Sequence, residues 1–372
     1  MANPAVDTIF AADPSAHVFE DRLFVYVSYD EPYTNTHDSM SGYHCLSTDD
    51  LVNWVDHGRI LSLEQVDWAI SHMWAIDCNF YRGKYYLTFC AIERESSTMK
   101  TGIAVSDRPE GPFKNLGTVA GVEWGQDPGF LVEDGVPFLV WGGRGEILIA
   151  ELNADLMSVK PETIRNLSSD LDGYEGPFLH KYSDKYYLTF PALDNEVWPQ
   201  RMCYAVADNV LGPYENKGVY IGVYEGNSGT IHGSCVEFKG QWYAFYHSAW
   251  GSGLATSRSL MIDKLEYTES GDILEIKPTK DGAVPGPTQT ITLLDASVGK
   301  LWGTRSATDD SDFTGHGFVT GMVQQEYGVS VLAEFGCERN FEVIVRYRNS
   351  GGDFNGRLMF GTHLFYDGNQ NQ

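Results

Sequence analysis

Positive charge is scarce in this chain: 26 lysines and arginines stand against 51 aspartates and glutamates, a formal net charge of −25. Nucleic acid and anionic membrane surfaces both need a basic footprint, so neither is expected as a partner. Long apolar runs are missing as well. None approaches the roughly 18 residues that a spanning helix needs. The first ten residues, MANPAVDTIF, hold no basic segment followed by an apolar one, so they do not read as a secretory leader. The compartment stays open between the cell interior and export with a leader already removed. Cysteine is sparse too: the six, at 45, 78, 90, 203, 235 and 337, form no Cys-x-x-Cys pair. Cys78, Cys90 and Cys235 lie within or beside apolar stretches, which predicts buried free thiols rather than disulfides. Helical periodicity is hardly visible anywhere.

What the chain does have is glycine, tyrosine and repetition. Its 39 glycines and 21 tyrosines suit many short strands joined by tight turns. A turn followed by an aromatic-rich strand recurs five times: EDRLFVYVSY (20–29), RGKYYLTFCA (82–91), EDGVPFLVWG (133–142), SDKYYLTFPA (183–192) and KGQWYAFYHS (239–248). With Asp21, Gly83, Gly135, Asp184 and Gly240 as markers, the steps are 62, 52, 49 and 56 residues. A period near 50 built from strands alone predicts an all-β, five-bladed β-propeller over residues 1–280. GPF (111–113), GPY (212–214) and the stretch LSTDDLVNWVDHG (46–58) read as outer-strand turns, with Trp54 and Phe113 capping blade edges. From 277 to 289 the run KPTKDGAVPGPTQ reads as a linker. Alternating runs after it, such as FEVIVRYRNSGG (341–352), predict a smaller and incomplete β-sandwich, so 281–372 is expected to be linker plus sandwich.

The repeat also locates the chemistry. Asp13, Asp127 and His232 each lie eight residues before their marker, and Glu175 lies nine before its own. The first strand of every propeller blade lines the central channel, so these four side chains are expected at one level near one mouth. Asp13 and Asp127 sit in matching contexts, ADPS and QDPG. Asp-Pro is an ordinary turn opener, and propeller channels often hold polar residues. Three converging carboxylates are less ordinary, because like charges raise one another's pKa at a cost. Three acids without a serine or cysteine nucleophile constellation suggest glycoside hydrolysis by a carboxylate pair. In the inverting form one carboxylate activates water and another protonates the leaving oxygen.

At these residues the chain resembles glycoside hydrolase family 43, five-bladed propellers acting on xylose- and arabinose-containing glycans. The matching segments are ADPSAHVFEDRLFVYVSYD (12–30), MWAIDCNFYRGKYYL (73–87), QDPGFLVEDG (126–135), YEGPFLHKYSDKYYL (174–188), IHGSCVEFKGQWYAFYH (231–247) and SRSLMIDKLEY (257–267). The resemblance implies Asp13 as general base, Asp127 as modulator of pKa and orientation, and Glu175 as general acid. It also implies Trp74 and Ala75 as pocket lining and Arg258 as a hydroxyl-binding cation. His232 matches the family's central histidine, which in many members faces calcium or a water cluster. No cofactor is implied for the chemistry, while a structural calcium held through water at His232 is. Ile76 departs from the family's Trp-Ala-Pro-Asp pattern, which bears on loop geometry. FTGHGFV (313–319) and VRYRNSGG (345–352) are similar to a family 6 carbohydrate-binding module.

Other residues carry two readings each. Asp77 is off the common offset and is expected to bond backbone near Trp74. Trp68, Trp124 and Trp250 suit either sugar stacking or the core. His72 and His247 suit either the pocket or structure. A lone His232 excludes a standard zinc site. The leading expectation is an inverting, exo-acting β-xylosidase or α-L-arabinofuranosidase acting on xylo- or arabino-oligosaccharides. Its rivals are an endo-acting arabinanase, a retaining invertase-like propeller, and a sugar-binding propeller without catalysis. The invertase-like motifs Asn-Asp-Pro-Asn, Arg-Asp-Pro and Glu-Cys are absent, since the counterparts here are Ala12-Asp13-Pro14-Ser15, Gln126-Asp127-Pro128 and Glu175-Gly176.

Overall fold

The computed structural model describes residues 3–292, apart from 33, 285 and 287, together with the short strands 300–302, 305–307, 318–320 and 328–330. Blade 1 comprises β1 (Ala11–Phe19), β2 (Arg22–Tyr29), β3 (Gly42–Thr48) and β4 (Asn53–Ser62). Blade 2 comprises β5 (Ala69–Ser71), β6 (Ile76–Tyr81), β7 (Lys84–Glu93), β8 (Met99–Ser106) and β9 (Lys114–Thr118), with β5 and β6 both paired to β7. Blade 3 runs β10 (Gly129–Glu133), β11 (Val136–Gly143), β12 (Glu146–Glu151), β13 (Arg165–Asn166). Blade 4 runs β14 (Phe178–Tyr182), β15 (Lys185–Asp194), β16 (Val197–Ala207), β17 (Glu215–Ile221). Blade 5 holds β18 (Gly233–Phe238), β19 (Gln241–Ser248) and β20 (Ser259–Leu265). The five inner strands β1, β6, β10, β14 and β18 touch one another in a closed ring, so the five-bladed propeller is borne out.

The repeated sentence is a hairpin. In every blade the first and second strands are joined by two residues, with Phe19 facing Arg22, Tyr81 facing Lys84, Glu133 facing Val136, Tyr182 facing Lys185 and Phe238 facing Gln241. Four of these loops have both central residues at positive φ: Glu20–Asp21, Arg82–Gly83, Asp134–Gly135 and Lys239–Gly240. That geometry matches the right-handed twist of the flanking strands and favours Gly or Asp at the second position, where Asp21, Gly83, Gly135 and Gly240 stand. Between each pair of neighbouring blades lies a separate apolar core, five in all. Trp54 and Phe113 are both buried in these cores, Phe113 edge-on to Tyr26. The described cysteines, all but Cys337, are buried and free. Regular helix among the described residues is limited to three short 3-10 turns.

Ring closure differs from the sequence reading. The run 277–289, expected as a linker, lies along blades 5 and 1. Thr279 donates to Asp263 at 2.7 Å, and Ala283 N donates to Ile262 O at 2.9 Å. Gln289–Thr292 adds a parallel fifth strand beside β4. The N-terminus joins the same seam: Ala5 N donates to Leu260 O at 2.8 Å. Prolines and glycines prevent 277–288 from forming a regular strand, but they do not prevent single backbone and threonine bonds to a sheet edge. Beyond this, Lys300–Trp302 pairs antiparallel with Gly328–Ser330, and Arg305–Ala307 with Phe318–Thr320. The remainder of the expected sandwich, including 313–317 and 345–352, lies outside the described residues.

Candidate active site

Two aspartates open their inner strands in the same unusual conformation. Asp13 has φ 47° and Asp127 has φ 46°, each followed by proline. In β1 this extrudes a bulge between Ala12 and Ser15. Blade 4 has the same left-handed position before proline, but Gly176 occupies it, with φ 56°. Glu175 is therefore one residue upstream of the shared position, which explains its offset of nine instead of eight. In blade 2 the residue eight before the marker is Ala75, which is buried, and Ile76 begins β6 opposite Phe89. Proline there could not donate to a ladder, so Ile76 lets β6 start one residue earlier.

The carboxylates are held in opposite electrostatic settings. Arg258, only 4% exposed, donates from Nη1 to Asp13 Oδ1 at 3.1 Å. Burial alone would raise the Asp13 carboxyl, but the Arg258 charge and the neighbouring His232 hold it well below the usual carboxylate range. Among the described residues no lysine or arginine pairs with Asp127 or Glu175, and His232 is the cationic neighbour that opposes their rise. Gln126 bridges them, with Nε2 2.9 Å from Glu175 Oε2 and 3.2 Å from Asp127 Oδ2. Burial and the Glu175 charge push Asp127 up to about 7. Burial also raises Glu175, against the hydrogen bond from Gln200. Gly176 N donates to Asp127 Oδ2 at 3.2 Å, so Asp127 also fixes the backbone that carries the glutamate. A buried and a half-buried carboxylate that share one amide donor titrate as a pair.

The histidines divide by charge. His232 Nδ1 lies 3.7 Å from Asp13 Oδ1. Burial opposes its protonation, but Asp13, Asp127 and Glu175 outweigh burial and raise its pKa. His247 is fully buried, and burial together with Arg258 lowers its pKa. Its Nδ1 accepts from Asp13 N at 3.1 Å and its Nε2 faces Thr230 O at 3.2 Å, which fixes a neutral imidazole carrying its proton on Nε2. His247 thus holds the strained Asp13 backbone. With Nδ1 turned to Asp13 and its proton affinity raised, His232 suits a charge partner of the base rather than a direct metal ligand. Among the described residues no three His, Cys, Asp or Glu converge at ligand spacing.

Arg258 is committed mainly to protein. Its Nε and Nη2 form a two-point pair with Asp30 at 2.9 and 2.8 Å, its backbone N donates to the same carboxylate at 2.8 Å, and Nη2 also points at Met40 Sδ, 3.3 Å away. One Nη1 hydrogen is left for a ligand hydroxyl. Trp74 is half-buried and donates from Nε1 to His37 O at 3.1 Å. His72 lies beside it with ring centroids 4.9 Å apart, and bonds Asp38 at 3.0 Å. Around Asp13 and Arg258 the mouth is thus bordered by the blade 1 loop 34–40, which is tied to blade 2 and, through Thr34 O and Thr256, to blade 5. His37, on this loop, is held near 4 by burial and by Arg258.

Several expectations shift on this geometry. Asp77 does bond backbone, but at Phe130 N (2.5 Å) and Cys78 N (2.8 Å) and not near Trp74, and it also holds Ser15 and His17. It joins blades 1, 2 and 3 inside the channel, because β6 projects it inward between its neighbours. Trp68 stacks on Phe89, and Trp250 packs edge-on to Tyr224, so both serve the core. Trp124 is near the acids: its Nε1 donates to Gln126 Oε1 at 3.1 Å, and Arg144 stacks on its ring. Gln126, Gln200, Asp30 and His37 escaped the sequence reading. Gln126 alone had a local signal, its place directly before Asp127. Gly143 leaves room for it, since a Cβ there would stand 2.2 Å from Gln126 Oε1.

Comparison with known proteins agrees with this arrangement. The profile of glycosyl hydrolases family 43 matches residues 1–273. A xylosidase/arabinosidase of Bacteroides ovatus is 31% identical over 316 residues, covering 72% of this chain and 95% of that protein. A xylosidase/arabinosidase of Humicola insolens is 30% identical, covering 74% and 99%. Among solved structures, a β-xylosidase/α-arabinofuranosidase from a compost microbial metagenome, in a calcium-free complex with xylotriose, superposes with a TM-score of 0.66 at 29% identity, over 74% of this chain and 96% of that one. A family 43 enzyme of Xanthomonas citri complexed with xylotriose gives 0.67 at 30% identity, over 76% and 96%. The chain belongs to glycosyl hydrolases family 43 and is a glycosidase.

Proposed function

We propose that this enzyme is an inverting, exo-acting glycosidase that releases xylose or arabinofuranose from xylo- and arabino-oligosaccharides. Asp13 acts as general base, Glu175 as general acid, and Asp127 keeps the acid protonated. The observation that carries this reading is the divergence of proton affinity among three carboxylates at one channel mouth. Asp13 is pushed down beside Arg258, while Asp127 and Glu175 are pushed up around Gln126. Groups whose environments separate their pKa values in this way take the base and acid roles. Asp13, ionised across the working range, accepts a proton from water as it attacks the anomeric carbon. Glu175 gives its proton to the glycosidic oxygen as that bond breaks. The sugar class rests on the relatives, whose names pair xylosidase with arabinosidase activity. Exo action is supported by the loop 34–40, which borders the Asp13 side of the mouth.

Hydrolysis of an aryl β-xyloside and an aryl α-arabinofuranoside by wild type, Asp13→Ala and Glu175→Ala tests the assignment. Asp13→Ala should lose turnover on both. Glu175→Ala should keep far more activity on aryl substrates than on xylobiose, because a good leaving group needs little protonation. Equal loss on both substrate types removes the acid role from Glu175.

A further inference from the structure

Trp198 is the largest aromatic side chain among the exposed hydrophobics, at 49% exposure. Its position, beside residues that hold the site, is what singles it out. It lies in β16, two residues before Gln200, whose Nε2 donates to Glu175 Oε1 at 2.7 Å. It packs edge-on to Tyr174, with ring centroids 5.6 Å apart and planes at 78°. Tyr174 in turn directly precedes Glu175. Its backbone is pinned on two sides, donating to Pro191 O at 2.8 Å and accepting from Gly145 N at 2.9 Å. The aromatic pair is therefore attached to both the carboxylate proposed as acid and the amide that aims it.

Direction follows from the chemistry. The acid protonates the glycosidic oxygen, so the sugar that leaves lies on the Glu175 side. The Asp13 side is bordered by loop 34–40, while the Glu175 side carries an exposed aromatic surface. We infer that Trp198, edged by Tyr174, forms the leaving-group subsite, a stacking platform for the apolar face of the neutral pyranose that departs. The inference rests on Glu175 being the acid. Stacking on one ring contributes binding through CH and ring contact without hydrogen bonds, so it tolerates different linkages in the departing chain.

Two substrates that differ only in the leaving group test this: xylobiose and β-xylosyl fluoride, or their arabinofuranosyl counterparts if that sugar is the one released. Fluoride occupies no sugar subsite and needs no acid. Trp198→Ala should lose about tenfold in kcat/KM on the disaccharide, mostly through KM, with the fluoride within about twofold of wild type. Trp198→Phe should recover most of the loss. The fluoride rate doubles as a check that the variant is folded. A disaccharide loss carried by kcat, with KM and the fluoride rate unchanged, would make Trp198 a support for Gln200 and Glu175; equal loss on both substrates would make it a general structural residue, and no loss on either would leave it without a role in binding; each overturns the subsite. A wild type inactive on both substrates would instead overturn the glycosidase specificity proposed above.

Discussion

Gln200 donates from Nε2 to Oε1 of Glu175 at 2.7 Å while its own Oε1 accepts from Ile231 N at 3.1 Å. The side chain is fully buried and spans from blade 4 to the start of blade 5. It therefore aims the glutamate from a fixed support. Gln200→Ala removes the aim and also a hydrogen bond that lowers the Glu175 pKa. Two effects should appear together in a pH series on xylobiose. The rate constant kcat should fall about tenfold or more from misplacement, and the alkaline limb should move to higher pH. A fall in kcat with an unmoved limb would mean that Gln200 does not act on Glu175.

Asp127 and Glu175 set that alkaline limb. Burial and mutual repulsion let the pair keep a proton up to about pH 7, where Asp127 is placed. Activity should thus decline as pH rises through about 7, when the pair loses the proton that the acid must deliver. On the acid side Asp13 stays ionised to well below the usual carboxylate range, so the profile should be flat down to about pH 4. Asp127→Asn removes a like charge and lowers the proton affinity of Glu175. Its alkaline limb on xylobiose should shift to lower pH, whereas activity on β-xylosyl fluoride should lack the limb in both proteins. His232 faces the same carboxylates and is also raised. A limb retained with the fluoride would assign it to His232 instead.

Arg258 and Asp30 form the buried anchor behind the base, at 4% and 1% exposure. Arg258→Met strands Asp30 and leaves Asp13 with only its histidine neighbours, and breaking such a pair costs roughly 3–5 kcal/mol. The sign with pH follows from Asp13. With Arg258 present its pKa is depressed, so the pair contributes stability above the unfolded carboxylate value near 4, and this is lost as pH falls through the folded pKa. Without Arg258, burial is opposed only by His232 and His247, so the folded pKa of Asp13 rises and the penalty grows with pH. Denaturation of Arg258→Met should show a deficit larger at pH 7 than at pH 4.5. A deficit independent of pH would mean the loss is one of packing only.

Local chemistry was legible in the sequence, and contacts across the ring were not. The blades announced themselves because a two-residue hairpin turn at positive φ favours Gly or Asp at Gly83, Gly135 and Gly240 or Asp21. Asp13 and Asp127 were legible through the same constraint, a left-handed residue before proline. Glu175 fell one position off because Gly176 occupies that conformation in its blade. Arg258 and Asp30, by contrast, meet across 228 residues of sequence, and nothing near either announces the other. Gln200 has no local pattern at all, since its function is set by a glutamate on the neighbouring strand's approach. Trp198 reads as an ordinary strand tryptophan until its exposure is known. The seam at 277–289 was misread for the same reason: its prolines and glycines describe the local chain, whereas its partners are Asn3 and β20.

Asn3 closes the ring and gives the last prediction. Its Nδ2 donates to Thr279 O at 2.9 Å and Ile262 O at 3.1 Å, and its Oδ1 accepts from Ile262 N at 2.9 Å. One buried amide thus joins the N-terminus, β20 and the returning segment. Asn3→Ala leaves Ile262 N and two carbonyls without these partners, and a stranded buried polar group costs about 1–3 kcal/mol. A loss of about 2–4 kcal/mol lowers Tm by roughly 3–7 °C in a domain of this size. At 25 °C kcat should stay within about twofold of wild type, because Asn3 touches none of the three carboxylates. Asn3→Asp keeps the bond from Ile262 N but turns a carboxylate oxygen on two carbonyls and on Asp263 Oδ2, which Asn3 Nδ2 meets at 3.4 Å, so its Tm should fall at least as far as that of Asn3→Ala. An unchanged Tm in Asn3→Ala would show that the seam holds through Ala5, Ala283 and the parallel strand at 289–292 without it.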